Sequence, residues 1–399
     1  MSAWVYIVFI GYLVGVLALG YWTSRSQNVK EFFAAGQRMP YWVVGSAYVA
    51  TFVSAASLLG VVGATHQTGM LGNAAYVGTV VGYIVALALF GPLLRRFGQF
   101  TIPDYLGDRY DSDAVRMLSA VIIFVGYFLY IATQVIGVGI LFRLLFGLPY
   151  SVGLIVALLI VMLYTMLGGM LATAYVDVLQ MLFMWTSTII IAAIGFGRVG
   201  GVFSGLPNLV GQLKESSPEY LTTAASEGGV WAMWSLVLIW LFGTLSRADT
   251  ISRAYLAKNE REVYKAVLFA TPMIMASGIM FFFIGILGAG LLPNLDGLEA
   301  ENTFLIMAQD WAPGIITGLA FAGLLATAQS TISGQLMVSS MAVSRDIYAR
   351  VLFPRLRGNA VAPDERHILS VARYSMVFMG LIAAALAVVR PTFIIQIIT

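Results

Sequence analysis

Three hydroxyls and a glycine recur at helical spacing in the last third of the chain. In Ala326-Thr327-Ala328-Gln329-Ser330-Thr331-Ile332-Ser333-Gly334-Gln335, positions 327, 330, 331 and 334 lie three and four apart, so they share one helix face. The segment that carries them, about 313 to 348, is apolar and long enough to cross a bilayer. Hydroxyls set beside freed carbonyls make an all-oxygen site, which is what a hard cation such as sodium requires. Small and hydroxylated residues also mark close packing of membrane helices, so the stripe alone leaves both readings open.

Composition removes most other chemistry. Hydrophobic residues make up 60% and charged residues 10% of 399 positions, and mean hydropathy is +0.88, far outside the range of soluble domains. The chain reads as an all-α polytopic membrane protein. Without cysteine there is no disulfide, thiolate metal site or cysteine nucleophile. The only histidines, His66 and His367, are too few for an imidazole metal site. A net charge of +3 is accounted for by basic cytoplasmic loops and calls for no nucleic-acid partner.

The elements that must position the stripe follow from apolar runs. The first, 4 to 24, lacks the basic start and cleavage site of a signal peptide and is a retained helix. Further spans fall at 41–69, 74–95, 114–146, 150–167, 172–197, 230–252, 263–291, 313–345 and 368–389, giving ten crossings. An apolar run from 391 to 399 begins an eleventh and stops too soon to span, as if truncated. With the N-terminus outside, sixteen of the 22 basic residues gather on one side, among them Arg25, Arg95, Arg96, Arg253, Lys258 and Arg345, which marks the cytoplasm of a cell or inner membrane.

Two spans are interrupted. The second carries Ser54-Ala55-Ala56-Ser57; the seventh, five crossings later and oppositely oriented, carries Phe242-Gly243-Thr244-Leu245-Ser246. Breaks at matching places of two inverted halves point to a transporter's binding site, because the freed carbonyls must be met by an ion, a solute or a neighbour. A single break would read as a simple kink.

These residues also carry a resemblance. The run Ser330-Thr331-Ile332-Ser333-Gly334-Gln335 through Ser339-Ser340 to Arg345-Asp346-Ile347-Tyr348 resembles the eighth core helix of the sodium:solute symporter family. Ser54-Ala55-Ala56-Ser57 with its sequel to Gly63, Gly168-Gly169-Met170-Leu171-Ala172 leading to Asp177 and Gln180, and Thr101-Ile102-Pro103-Asp104-Tyr105 are similar to that family too. Ser54 to Ser57, Gln134-Val135-Ile136-Gly137 and the Gly-Gly-Met-Leu-Ala-Thr run most resemble the acetate permease, or monocarboxylate, branch. Leu245-Ser246-Arg247-Ala248-Asp249-Thr250 departs from the glycine, proline and histidine of many members.

The resemblance implies a single domain, 1–399, with a five-plus-five inverted-repeat fold of the leucine-transporter type behind one extra N-terminal helix. The first repeat would cover about 41–197 and the second about 230–399. It implies a sodium site made by the carbonyls of Ala50, Val53 and Thr327 and the hydroxyls of Ser330 and Thr331. A second site would use Asp177, Ser330, Ser333 and residue 334, where glycine replaces the expected serine. Asp177 is, with Asp249 at a span end, the only carboxylate inside a span, and a charge there costs about 3 kcal/mol at the bilayer centre. It is expected on the cytoplasmic sodium exit path. Arg247 and Asp249 read as structural charges near the cytoplasmic interface, each with its own partner or with water, or Arg247 as the group that attracts an anionic solute.

The function expected is sodium-coupled symport of a small organic solute by alternating access. Ser54, Ser57, Gln134, Trp240, Phe242 and Thr244 are expected to line the solute site, hydroxyl and amide donors on an aromatic wall without an acidic group. A small monocarboxylate suits it best; pantothenate, amino acids and sugars are the other solutes. A membrane enzyme or redox subunit lacks cysteine, a histidine pair, a phosphate loop and clustered acids, while a membrane sensor stays open.

Overall fold

The computed structural model describes residues 1–23, 28–99, 101–222, 229–357 and 363–389. Arg25, the end of the first expected helix and the run from 391 to 399 lie outside the described residues. The helices are α1 (Ala3–Thr23), α2 (Val29–Ala34), α3 (Tyr41–Phe52), α4 (Val62–Thr68), α5 (Met70–Phe97), α6 (Ile102–Arg109), α7 (Asp113–Phe146), α8 (Tyr150–Val199), α9 (Gly205–Ser216), α10 (Gly229–Leu245), α11 (Ala248–Ile251), α12 (Glu260–Leu291), α13 (Thr303–Trp311), α14 (Gly314–Met341), α15 (Phe353–Arg357) and α16 (Glu365–Val389). π-Helical stretches precede α4 (Ala56–Val61) and follow α14 (Ala342–Leu352). No strand occurs among the described residues.

Among the described residues, seven helices are long and apolar enough to cross a membrane, and two bent pairs add a broken crossing each: α3 with the segment to Thr68, bent 50°, and α10 with the segment to Leu256, bent 45°. Helix α8 has 50 residues. Straight, it would run about 75 Å, over twice the apolar thickness of a bilayer. At Gly169 φ is 58° and ψ −148°, a conformation open in practice only to glycine. On α1, a Cβ at Gly20 would meet Tyr164 and one at Gly15 would meet Leu179. Residues about 7.5 Å apart on α1 thus face residues that a straight α8 would hold about 22 Å apart. The chain turns back at Gly169, and α8 is the two crossings expected at 150–167 and 172–197.

Helix α14 is central. It is buried without interruption from Ala320 to Met341, as a helix enclosed by neighbours on every side must be. Helix α1 seals one side: Tyr12 Oη donates to Gln329 Oε1 (2.7 Å) on α14 and accepts from Gln180 Nε2 (3.4 Å) on α8.

The loops expected on one side of the membrane do meet. Arg95 at the end of α5 donates to the carbonyls of Ala257 (2.6 Å) and Lys258 (2.9 Å), Met39 N–H to Leu256 O, and Arg345 to Asp104 (2.8 Å). At the opposite end Gln67 donates to Gly297 O (3.0 Å) and Met70 N–H to Tyr220 O (3.3 Å). Arg253 is the exception. Sorted by sequence with the loop charges, it is wholly buried.

Candidate ion and solute site

Helix α3 stops because Val53 turns extended, with φ −76° and ψ 115°. The break is held from α7: Gln134 Oε1 accepts the Ala55 N–H at 2.8 Å, and Gln134 Nε2 donates to Thr133 Oγ1 at 3.0 Å. Freed of its helical partner, the Ala50 carbonyl accepts from Ser330 Oγ on α14 at 2.8 Å. Ser330 Oγ also lies 2.9 Å from Ala326 O and 3.1 Å from Thr327 O, and Thr331 Oγ1 donates to Thr327 O at 3.0 Å. Four of the five expected ligands, at Ala50, Thr327, Ser330 and Thr331, therefore form one connected, fully buried oxygen cluster. Val53 stands at the turn beside it, with no hydrogen bond linking its carbonyl to the other four. The cluster is uncharged, and no group of three or more histidines and acids occurs among the described residues. Hydroxyls that can rotate and carbonyls already aligned fit a hard monovalent cation.

The second break differs from expectation. Helix α10 stays helical through Gly243 to Leu245, and the chain opens at Ser246 and Arg247, with φ −67° and ψ 102° at Arg247. Glycine and threonine are readily carried inside membrane helices. What fixes the opening is Asp249. Its carboxylate takes Arg247 Nε at 3.1 Å and Nη2 at 2.6 Å, the Thr250 N–H at 2.8 Å and the Tyr127 hydroxyl at 3.1 Å, while the Tyr127 oxygen accepts the Asp249 N–H at 2.7 Å. Arg247 and Asp249 are thus each other's partner, not separate interfacial charges. Gln335 on α14 reaches Asp249 Oδ2 at 3.4 Å, and Arg247 Nη2 reaches Thr51 O at 3.5 Å, tying the second break to α14 and to the end of α3.

Two cavities adjoin the breaks. One, of about 20 Å³ and so with room for about one water, is lined by Phe52, Ser57, Tyr76, Tyr130, Trp240 and Arg247; the other, of about 280 Å³, is lined by Tyr127, Tyr130, Trp240, Thr244 and Arg247 with neighbours on α7 and α10. Tyr130, Trp240 and Arg247 line both and divide them, the guanidinium 5.2 Å from the Tyr130 ring centre. Ser54 Oγ lies 3.3 Å from Ser57 Oγ and 3.5 Å from Tyr130 Oη. Ser54, Ser57, Trp240 and Thr244 are therefore at or beside the cavities. Gln134 is not, being used on the Ala55 N–H, and Phe242 points away, 64% exposed, on the outer face of α10. Tyr130 and Tyr127 were missed. Tyr130 lies one turn before Gln134, on the helix face the sequence had already singled out.

Asp177 departs furthest from expectation. Its Oδ2 lies 3.0 Å from Nη2 of Arg253, both side chains wholly inaccessible. Its charge is met by Arg253 inside the protein, and Asp177 lines neither of the two cavities. Ser333 Oγ is turned to its own helix, donating to Ser330 O at 3.0 Å.

Two broken helices crossing beside a central one, with an oxygen cluster at one break and a divided cavity next to it, are the working parts of an ion-coupled secondary transporter. The profile of the sodium:solute symporter family matches residues 32–399, and the chain belongs to that family; its coupling ion is sodium. The structure is similar to a sodium-coupled sialic acid symporter solved in a substrate-bound outward-open state, with TM-score 0.84 at 20% identity over 97% of this chain and 82% of that one. It shares that protein's leucine-transporter-type fold. A manganese transporter of Eremococcus coleocola matches at TM-score 0.49 and 12% identity, over 89% of this chain and 81% of that one. Neither the family nor the fold singles out the acetate permease branch.

Proposed function

We propose that the solute carries a carboxylate and that Arg247 receives it between the two cavities. The observation that carries this reading is the place of Arg247, on the lining of both cavities beside Tyr130 and Trp240. Asp249 takes Nε and Nη2 in a bidentate fork, which holds the guanidinium plane in position and leaves the Nη1 N–H groups to donate to a second carboxylate, a division of donors that lysine cannot reproduce. Ser57 and Tyr130 supply hydroxyls, and Trp240 an apolar wall. A short-chain monocarboxylate is the smallest such solute; the similar solved symporter carries sialic acid, a larger sugar acid, so the class proposed is carboxylates and is not confined to short chains.

Sodium bound by Ala50, Thr327, Ser330 and Thr331 would hold α3 against α14 and so favour the state in which the cavity beside the α3 break is formed. Coupling then follows because ion and solute prefer the same state. The N-terminus lies outside, on the basic-residue count, in a cell or inner membrane. In proteoliposomes with an inward sodium gradient, carboxylates should compete for uptake while neutral sugars do not. Inhibition by a neutral sugar with none by any acid would overturn the assignment of the solute and leave symport standing.

A further inference from the structure

Arg253 is the bulkiest wholly buried side chain of the described residues. It leaves the short 3-10 turn after α11 and enters the bundle between α8 and α14. Its Nη2 lies 3.0 Å from Asp177 Oδ2, and its Nη1 lies 3.1 Å from Met170 Sδ and 3.3 Å from Thr173 Oγ1. The pair is close without being well aligned, since neither Asp177 oxygen receives a directed hydrogen bond from the described residues. On the other side stands Gly334, where a Cβ would come within 3.0 Å of Nη2. Gly334 is one turn beyond Ser330, so this corner adjoins the sodium cluster on the same face of α14.

We propose that the Arg253 guanidinium is a tethered cation standing where a second ion would otherwise bind beside Asp177, so that the protein binds one coupling sodium and not two. The proposal rests on the sodium-coupled reading and deepens it. A buried carboxylate with the Thr173 hydroxyl close by is the kind of surroundings that draws in a cation. Here the chain supplies the cation itself, and the glycine at 334 makes room for it. A sodium ion in the same corner would face a like charge at close range in a medium of low dielectric constant, which excludes it. Removing the guanidinium leaves an acid, a hydroxyl and a void, and the void then takes an ion from solution.

The test is equilibrium binding of radiolabelled sodium to the purified full-length chain. Wild type should bind one equivalent with a Hill coefficient of about one. Arg253→Ala should bind two, the second lost again in Arg253→Ala/Asp177→Asn, which keeps the first. Should Arg253→Ala fail to fold, Arg253→Gln removes the charge while keeping hydrogen bonding and should also bind two. Two equivalents in wild type, or a single one in a folded Arg253 variant, overturns the proposal alone. No saturable sodium binding in wild type overturns the symporter reading and the proposal with it.

Discussion

Arg247 is held by a carboxylate two residues away and by the face of Tyr130, and it separates two cavities. A lysine could keep the charge but neither the fork on Asp249 nor a second pair of donors. Arg247→Lys is therefore expected to raise the half-saturating concentration of an acid solute by about tenfold or more, the equivalent of losing one charge-assisted hydrogen bond at about 1.5 kcal/mol, with sodium affinity little changed. Phe242→Ala is the control: its ring lies on the outer face of α10, and initial uptake rates should match wild type. The oxygen stripe was legible because its spacing is local. The pairing of Asp177 with Arg253 was not, since it joins residues on different elements and no window of sequence contains both.

At the scale of elements, most of the architecture could be read from the lengths of apolar runs, because each crossing must supply its own backbone hydrogen bonds and an apolar surface. The short helices α2, α6, α9, α13 and α15 carried no such signal. The α3 break was found from its small polar residues, but what holds it open is Gln134 on α7, 79 positions away. Losing Gln134 would leave the buried Ala55 N–H without a partner, at a cost of about 1–3 kcal/mol. Gln134→Ala should accordingly lower thermal stability in detergent, and its loss of transport should be recovered better by Gln134→Glu than by added solute. The second break was misplaced by a few residues because local composition pointed to Gly243 and Thr244, whereas the pairing of Arg247, Asp249 and Tyr127 decides where α10 ends. The reversal inside α8 depends on one residue. Gly169→Ala would force a side chain into a glycine-only conformation, costing about 1–3 kcal/mol, and would set its Cβ 2.5 Å from Phe32 O. A sharp drop in melting temperature and in the yield of folded protein is expected.

For the whole molecule, the two ends seen in the loop contacts give the topology a direct check. The chain has no cysteine, so single cysteines report without background. In intact cells a membrane-impermeant maleimide should label Asn294→Cys, while Lys258→Cys should react only after permeabilisation; the reverse pattern would invert the proposed orientation. Family and fold were both legible before the structure, from the order and spacing of short motifs along nearly the whole chain. The solute was not, because the side chains proposed to receive it, such as Tyr130 on α7 and Arg247 in the break after α10, come together from separate elements. The central claim is that a sodium ion in the oxygen cluster of Ala50, Thr327, Ser330 and Thr331 drives the solute inward. Its most direct measurement is uptake of labelled acid solutes by proteoliposomes under an imposed sodium gradient, for wild type and for Ser330→Ala/Thr331→Ala. The account predicts accumulation that requires sodium in wild type and collapses in the folded double variant. Sodium-stimulated uptake undiminished in that variant would contradict it.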